Sequence, residues 1–333
     1  MKIDWIAQVQ AVAPEFFPSL AAVNHSTDHN NPHHQEANSN LLGHVLSVYM
    51  QACTRYPEDS ILQLAALLHD IGKPLCQEFK ADTARTSFHS HESLGCFLAI
   101  DILNKLAIQY SDKIKVIELI ARHGDHWKLS AQTFSNRYDQ ISTDNLRGIA
   151  ICDTLGSIKL GPNSSLFGED FTTQLNIYSP QVKTYTESCT LLIGPPCSGK
   201  STYLSENYPK TPVISRDKLV HIFGHSDNYN EAWTKADQTK VDEALTAQIK
   251  AYSAEQEHFI VDMTNMTTKT RAKFTQLKRS VNAIVFLPSL PTLLQRNQER
   301  AHTLDPSIIL NMCKRFQPPY PGENFSTINY IFN

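Results

Sequence analysis

The seven cysteines form no C-x-x-C pair, and their number is odd. That gives no sign of a disulfide framework, and a reduced, cytoplasmic protein is the simplest account. No long apolar run is present. Met1 to Gln10 is interrupted by Lys2, Asp4, Gln8 and Gln10, so neither a signal peptide nor a membrane span is expected. There is no strong charge of one sign: the formal net charge is -3, which excludes a global basic field drawing the chain onto nucleic acid. No internal repeat is visible, which argues against a solenoid or array.

What is present divides into two halves. At 333 residues the chain is long enough for two domains, each with its own core. Residues 188–333 carry 16 Lys+Arg against 13 Asp+Glu, while the remainder carries 14 against 20. From Leu41 to Leu160 apolar residues recur at helical spacing, as in Leu41, Leu42, Val45, Leu46, Val48 and Tyr49, or Ile114, Ile117, Leu119 and Ile120. Residues 161–187 are rich in Gly, Pro, Ser, Asn and Thr and read as a linker. Beyond them, the short apolar runs Thr190–Ile193, Pro212–Ser215, Phe259–Asp262 and Ala283–Leu287 alternate with helical stretches, the pattern of a parallel sheet with crossover helices. The expected organisation is an all-α domain over 1–165, a linker over 166–187, and an α/β domain with a parallel sheet and a helical lid over 188–333.

Gly194 to Ser201 reads GPPCSGKS, a complete G-x-x-x-x-G-K-S phosphate loop, with a strand-like run before it and a helix-forming run after it. Gly194 and Gly199 let backbone N–H groups close around a phosphate chain. Lys200 reaches the outer phosphates, and Ser201 ligates Mg²⁺, with Thr202 beside it. The implied cofactor is ATP or another nucleoside triphosphate with Mg²⁺.

Upstream, His44, His69-Asp70, His91, His123 and Asp153 each fall within or at the edge of an expected helix. Imidazoles and carboxylates are the ligands of hydrolytic divalent cations, and a histidine-rich set admits Mn, Ni, Co, Fe or Zn. Gly72 and Pro74 are expected to end the helix just past the His69-Asp70 pair. His89 and His126 each neighbour a stronger candidate. His25, His29, His33 and His34 lie in a polar stretch that reads as a surface segment, with His34 and Glu36 as candidates for a rim over the site.

The motifs LLHDIGKP (Leu67 to Pro74) and ICDTLG (Ile151 to Gly156), together with His44, resemble the H…HD…D pattern of HD-domain phosphohydrolases. FHSHESLG (Phe88 to Gly95) and ARHGDH (Ala121 to His126) are similar to the extra motifs of members holding two metals. The resemblance implies His44, His69, Asp70 and Asp153 on one ion, Asp70 as a bridge, His91 and His123 on a second, and Lys73 at the scissile phosphate. The reaction class is phosphoester hydrolysis, in which cations neutralise phosphate oxygens and activate water.

In the second half, Asp217 follows a strand at the phosphate-loop edge of the sheet, where it can take the proton of an attacking hydroxyl or cap a helix. Asp262 ends another strand as a Walker-B-like acid, with Asn265 nearby. Arg296 and Arg300 share a helix face, placed to clamp a triphosphate or to pair with Glu299 or Asp305. Lys269, Arg271, Lys273, Lys278 and Arg279 form a basic run, either a track for a nucleic-acid backbone or a solvated face. The order GPPCSGKS, ISRD, VDMTN, LLQRNQER, MCKRFQPPYPGENF resembles the phage-type polynucleotide 5′-kinase branch of the P-loop kinases. That implies Asp217 as general base for a 5′-hydroxyl and Arg296 and Arg300 on a lid. The family commonly has an arginine three residues after the base; here the position is Val220, followed by His221.

An HD phosphohydrolase joined to such a kinase resembles the bacterial HD-domain polynucleotide kinases of RNA end healing. The pairing implies removal of a 2′,3′-cyclic phosphate or 2′-phosphate, phosphorylation of a 5′-hydroxyl, nucleic-acid ends (RNA) as partner and a ligase as a further one, and no membrane. Two alternatives stand beside it: a nucleotide phosphohydrolase joined to a nucleoside or metabolite kinase, and a nucleotide-sensing module with little catalysis.

Overall fold

The computed structural model describes residues 3–23, 40–82, 85–157 and 185–333. The candidates His25, His29, His33, His34 and Glu36, and most of the 161–187 stretch, lie outside the described residues. The chain divides into two compact units, 1–179 with 313–322, and 180–312 with 323–333. Among the described residues no helix is long and apolar enough to cross a membrane.

The first unit is helical. Its elements are α1 (Trp5–Val12), α2 (Phe16–Ala21), α3 (Leu41–Arg55), α4 (Ser60–Leu68), α5 (Lys73–Cys76), a small antiparallel pair β1 (Glu78–Lys80) and β2 (Arg85–Ser87), then α6 (His91–Lys105), α7 (Tyr110–Arg122), α8 (Asp125–Lys128), α9 (Ala131–Arg137) and α10 (Gln140–Ser157). Polar caps set where these helices begin. Asn40 accepts from the Gly43 N–H at 2.9 Å and Asp59 from the Leu62 N–H at 2.9 Å, each satisfying a donor that the first helical turn leaves unpaired. Helix α4 is apolar almost all round, and Leu62 to Leu68 are all buried, as expected of a helix enclosed by others. The short run Cys313–Gly322 belongs to this unit. Phe316 stacks edge-on to Phe97 at 5.3 Å and accepts the Ser93 hydroxyl at 2.6 Å.

The second unit is a five-stranded parallel sheet in the order β4-β5-β3-β6-β7, built from β3 (Ser188–Ile193), β4 (Val213–Ser215), β5 (His258–Asp262), β6 (Ser280–Phe286) and β7 (Thr327–Ile331). Its helices are α11 (Lys200–Asn207), α12 (Arg216–Gly224), α13 (Tyr229–Lys235), α14 (Gln238–Glu255), α15 (Thr268–Thr275), α16 (Leu290–Gln298) and α17 (Pro306–Cys313). Leu191, Leu192 and Ile193 are wholly buried because β3 is central and both sheet faces are covered. The chain runs from β3 to β4 and back to β5 on one side of β3, then crosses over to β6 on the other, so the carboxyl end of β3 sits at the switch point where such sheets bind ligands.

Two readings from the basic run are corrected here. Arg271 is fully buried and holds Glu323 through two contacts, Nε at 2.8 Å and Nη2 at 2.6 Å. Arg279 is 4% exposed and donates to the carbonyls of Ser188, Ser253 and Gln256. These two arginines tie loops together and are not part of a surface track.

Candidate active sites

In the first unit, helix ends carry the polar residues into the core. Helix α4 stops at Leu68, so His69 and Asp70 lie in the turn beyond it rather than inside the helix. Pro74 does not end a helix as the sequence reading had it; it opens α5, where its fixed φ and missing N–H cost nothing. Gly72 permits this turn. A Cβ there would lie 2.1 Å from the His91 carbonyl oxygen, so any side chain would push α6 away from the pair.

Six side chains converge. His44 Nε2 lies 3.2 Å from His69 Nε2, 3.2 Å from Asp153 Oδ1 and 3.3 Å from Asp70 Oδ2. His69 Nε2 is 3.1 Å from that same Oδ2. The other oxygen of Asp70 faces a second group: Oδ1 is 3.2 Å from His91 Nε2 and 3.8 Å from His123 Nε2, and those two nitrogens are 3.3 Å apart. The donor atoms thus form two clusters, His44–His69–Asp153 and Asp70–His91–His123, with the Asp70 carboxylate between them.

The tautomers follow from the outer nitrogens. Nδ1 of His69, His91 and His123 lies 2.8, 2.7 and 2.8 Å from the carbonyls of Ala66, Phe88 and Ile120. A carbonyl only accepts, so each Nδ1 carries hydrogen, and in the neutral ring Nε2 is a lone pair. The Ser157 hydroxyl donates to the Asp153 carbonyl at 2.8 Å, which leaves its oxygen to accept from His44 Nδ1 at 3.4 Å. Four lone pairs therefore point inward at one another and at two carboxylates. Such a set repels itself unless protons or cations lie among it, so the residues fit a pair of divalent cations.

Electrostatics agree. Burial disfavours the charged form of His44, yet Asp153 and Asp70 outweigh it and raise the group to about 9. Burial and the neighbouring His69 and His91 lower His123 to about 4, keeping it a neutral donor. Asp70 and Asp153 are buried, which works against their charge, but the surrounding imidazoles, and Lys73 beside Asp70, hold both below the usual carboxylate range. Lys73 Nζ sits 2.7 Å from Asp70 Oδ2 and 5.6 Å over the Phe88 ring.

His89 and His126 lie outside both clusters: His89 is exposed beside Lys80, and His126 packs edge-on to Trp127. Sequence reasoning missed Glu92, buried next to His91 and paired with Lys128. Burial opposes its charge, but His91, His123 and Lys128 bring it down to about 2. It also missed Arg122, which precedes His123 and donates to the Pro318 and Pro319 carbonyls at 3.1 and 2.5 Å. An acid at the first turn of a helix and an arginine at the last are ordinary sequence features, so neither stood out.

In the second unit, the loop after β3 turns into α11 through Gly199, whose φ of +93° is one an L side chain rarely adopts. Lys200 donates to the carbonyls of Gly194 and Pro195 at 2.8 and 2.7 Å and to the Ser198 hydroxyl at 3.3 Å. Burial lowers its ammonium to about 8, with Asp262 and Asp217 pulling the other way. Asp262 stands opposite Leu192 in the β3–β5 register, one strand from the loop, and burial raises it. Ser201 and Thr202 are exposed at the start of α11, and Asp217 is exposed in the first turn of α12. Arg296 lies in α16, but the helix ends at Gln298, so Arg300 falls in the turn beyond it and the two do not share a helix face as the sequence reading had it; both nevertheless lean over the loop. Arg300 Nη1 is 3.4 Å from Cys197 Sγ, and Arg296 Nη1 would lie 3.5 Å from a Cβ on Gly199. Asn265 is turned inward instead, bonding the Leu192 carbonyl at 3.0 Å. Val220 is fully buried against Ala232, Ala236 and Val241, so no side chain reaches outward from that position.

Comparison with known proteins matches these two regions separately. Residues 41–157 match the HD domain and residues 190–319 an AAA domain. The chain thus joins a region matching the HD domain to a region, with its phosphate loop, matching an AAA domain. An A-adding tRNA nucleotidyltransferase of Deinococcus radiodurans is 37% identical over 81 residues, 24% of this chain and 19% of that protein, so the chain spans about a fifth of that relative. Among solved structures, a candidate kinase from Chloroflexus aurantiacus J-10-fl covers 44% of this chain and 89% of its own at 17% identity and TM-score 0.33. A gluconokinase from Sinorhizobium meliloti 1021 covers 45% and 84% at 17% identity and TM-score 0.32. Likeness at that level says nothing about substrate.

Proposed function

We propose that this HD–AAA chain heals broken RNA ends, phosphorylating a 5′-hydroxyl at the P-loop and removing a 2′,3′-cyclic phosphate or 2′-phosphate at the HD centre. The observation that supports the reading is the coexistence on one polypeptide of a His/Asp cluster able to hold two cations and a GPPCSGKS phosphate loop. Transesterification of RNA leaves a cyclic phosphate on one side of the break and a bare 5′-hydroxyl on the other, and a ligase needs the reverse.

In the kinase reaction, Lys200 and the loop amides hold the triphosphate, with Ser201 and Asp262 serving its Mg²⁺. Asp217 takes the proton of the attacking 5′-hydroxyl while ADP departs, and Arg296 and Arg300 balance charge on the phosphoryl group in transit. In the hydrolase reaction, His44, His69, Asp70 and Asp153 would hold one divalent cation and Asp70, His91 and His123 another. Bound there, such cations lower the pKa of water and neutralise phosphate oxygens. The chain's own part is to orient: the backbone carbonyls fix each imidazole's tautomer, and Lys73, steadied by Asp70, presents an ammonium to the phosphate.

The buried Val220 favours one competing reading, a kinase of small molecules, because the usual acceptor-phosphate arginine is missing and nothing reaches out in its place. An RNA oligomer series carrying 5′-hydroxyl and 2′,3′-cyclic phosphate ends, assayed with ATP and Mn²⁺ or Ni²⁺, separates the two. End healing gives phosphate transfer to the 5′ end with KM falling as the oligomer lengthens beyond one nucleotide, together with opening or loss of the cyclic phosphate. Transfer to nucleosides as good as to oligomers supports the small-molecule reading.

A further inference from the structure

Helix α13 follows α12 closely: a Cβ on Gly224 would lie 2.2 Å from the Ala232 carbonyl oxygen. The two pack through Val220, Ala232 and Ala236, with Val241 behind them and Tyr229 packed against the cluster, whereas Trp233 is not among its members. Tyr229 and Trp233 form a row on the Asp217 side. Tyr229 neighbours Asp217: burial pushes its hydroxyl up, and the Asp217 carboxylate beside it pushes the same way. The Tyr229 ring lies 5.7 Å from His221 and 6.0 Å from Trp233, tilted 37° to the latter. The Arg216 guanidinium sits 4.9 Å from the centre of the Trp233 ring and is itself fixed by Gln238 at 2.9 Å and Asp242 at 3.2 Å. Trp233 nevertheless keeps 45% of its surface exposed.

An indole held flat by a fixed cation, half open to solvent and one ring away from the carboxylate that takes the acceptor's proton, is a place for a flat ligand. We propose that Trp233, braced by Arg216 and reached from Asp217 by way of Tyr229, is a stacking platform for the nucleobase of the acceptor's 5′-terminal nucleotide. The proposal rests on the 5′-hydroxyl kinase reading and deepens it. It supplies acceptor grip from a base face where Val220 supplies none from a phosphate contact. The Arg216 donors named above are committed to Gln238 and Asp242 rather than aimed at a base edge. Recognition is therefore by stacking, which every base offers, and the four bases are accepted alike.

The test is steady-state kinetics of the full chain on a short 5′-hydroxyl RNA. Trp233→Ala raises KM for the oligomer about ten- to hundredfold, the usual loss for one base stack, while KM for ATP stays put. Trp233→Phe recovers most of it. An oligomer with an abasic 5′-terminal residue raises KM in the parent protein by a similar factor and makes Trp233→Ala nearly silent, since the two changes remove one contact. Trp233→Ala with unchanged oligomer KM overturns the platform while leaving 5′ phosphorylation standing. If that variant also sediments differently from the parent, the patch is a contact between copies of this chain and the platform is equally overturned. A parent protein that phosphorylates no 5′-hydroxyl oligomer removes the underlying reading and the platform with it.

Discussion

Replacing Asp70 by asparagine is the sharpest perturbation of the HD centre. Asp70 is 1% exposed, and its two oxygens face the two clusters separately. The amide keeps the shape but removes the charge, and it must turn its NH₂ toward one cluster. The first cluster still has Asp153; the second retains only the imidazoles of His91 and His123 and no carboxylate. A unit charge about 4 Å from a cation in an effective dielectric near 20 is worth about 4 kcal/mol per unit of cation charge. Even half of the divalent total, about 4 kcal/mol, corresponds to about three decades of affinity. Purified Asp70→Asn is thus expected to carry at most one tightly held transition-metal ion per chain where the parent carries two, by elemental analysis after dialysis. Release of phosphate from a 2′,3′-cyclic or 2′-phosphate RNA end should fall at least a thousandfold, with ATP-dependent 5′ labelling of the same RNA unchanged. Two equally tight ions in the variant, or loss of both activities in a protein that still melts cooperatively, would refute a carboxylate shared between two cation sites that are separate from the kinase.

Lys200→Ala gives the mirror image: 5′ labelling falls about a hundred- to thousandfold and phosphate release is untouched. The pH dependence of metal-free protein follows from the raised and lowered groups. The charge on His44, raised to about 9, stabilises the fold fully below about pH 6.5, and this contribution is lost as pH climbs through 9. The stabilisation from Asp70 and Asp153, whose folded values are depressed, is present above about pH 4 and is lost in stronger acid. Because a cation replaces the His44 proton, the rise in Tm on adding Mn²⁺ should grow between pH 6.5 and 9; a flat or shrinking difference in scanning fluorimetry contradicts it. Arg271→Ala strands Glu323 inside the second unit and should cost about 3–5 kcal/mol in urea unfolding. Val220→Arg, which would supply the arginine usual in the polynucleotide kinases this region resembles, should lower stability by several kcal/mol and leave oligomer KM no better, because the side chain enters a closed apolar cluster.

Motifs whose chemistry demands fixed spacing were plain in the sequence. The phosphate loop is local, so eight consecutive residues specified both the turn and the placement of Lys200. The metal ligands span more than a hundred residues, yet each sits at a helix end or on a helix face that apolar periodicity already located. What stayed hidden depends on distant packing. Strand β7, Thr327–Ile331, is a five-residue edge strand whose place beside β6 only the sheet reveals. The β1–β2 pair is three residues a side, too short for any period to register. Arg271 looked like part of a basic surface because its partner, Glu323, lies 52 residues away.

The two donor sets differ in kind as well as place, and the difference sorts cations within one protein. Ser201 and Asp262 offer oxygen only, the preference of Mg²⁺ held with a triphosphate. The HD clusters offer four imidazole nitrogens and two carboxylates, which suit Mn²⁺ through Zn²⁺ and rank them in the order of increasing affinity from manganese to copper. A chelator that strips nitrogen-bound transition metals but binds Mg²⁺ weakly should therefore abolish phosphate release while 5′ phosphorylation in excess Mg²⁺ continues. Re-addition of Mn²⁺ or Ni²⁺ in stoichiometric amounts should restore the first activity without altering the second. If Mg²⁺ alone sustains both at equal rates, the imidazole clusters are not the hydrolytic centre, since nothing in their ligand chemistry would favour that ion.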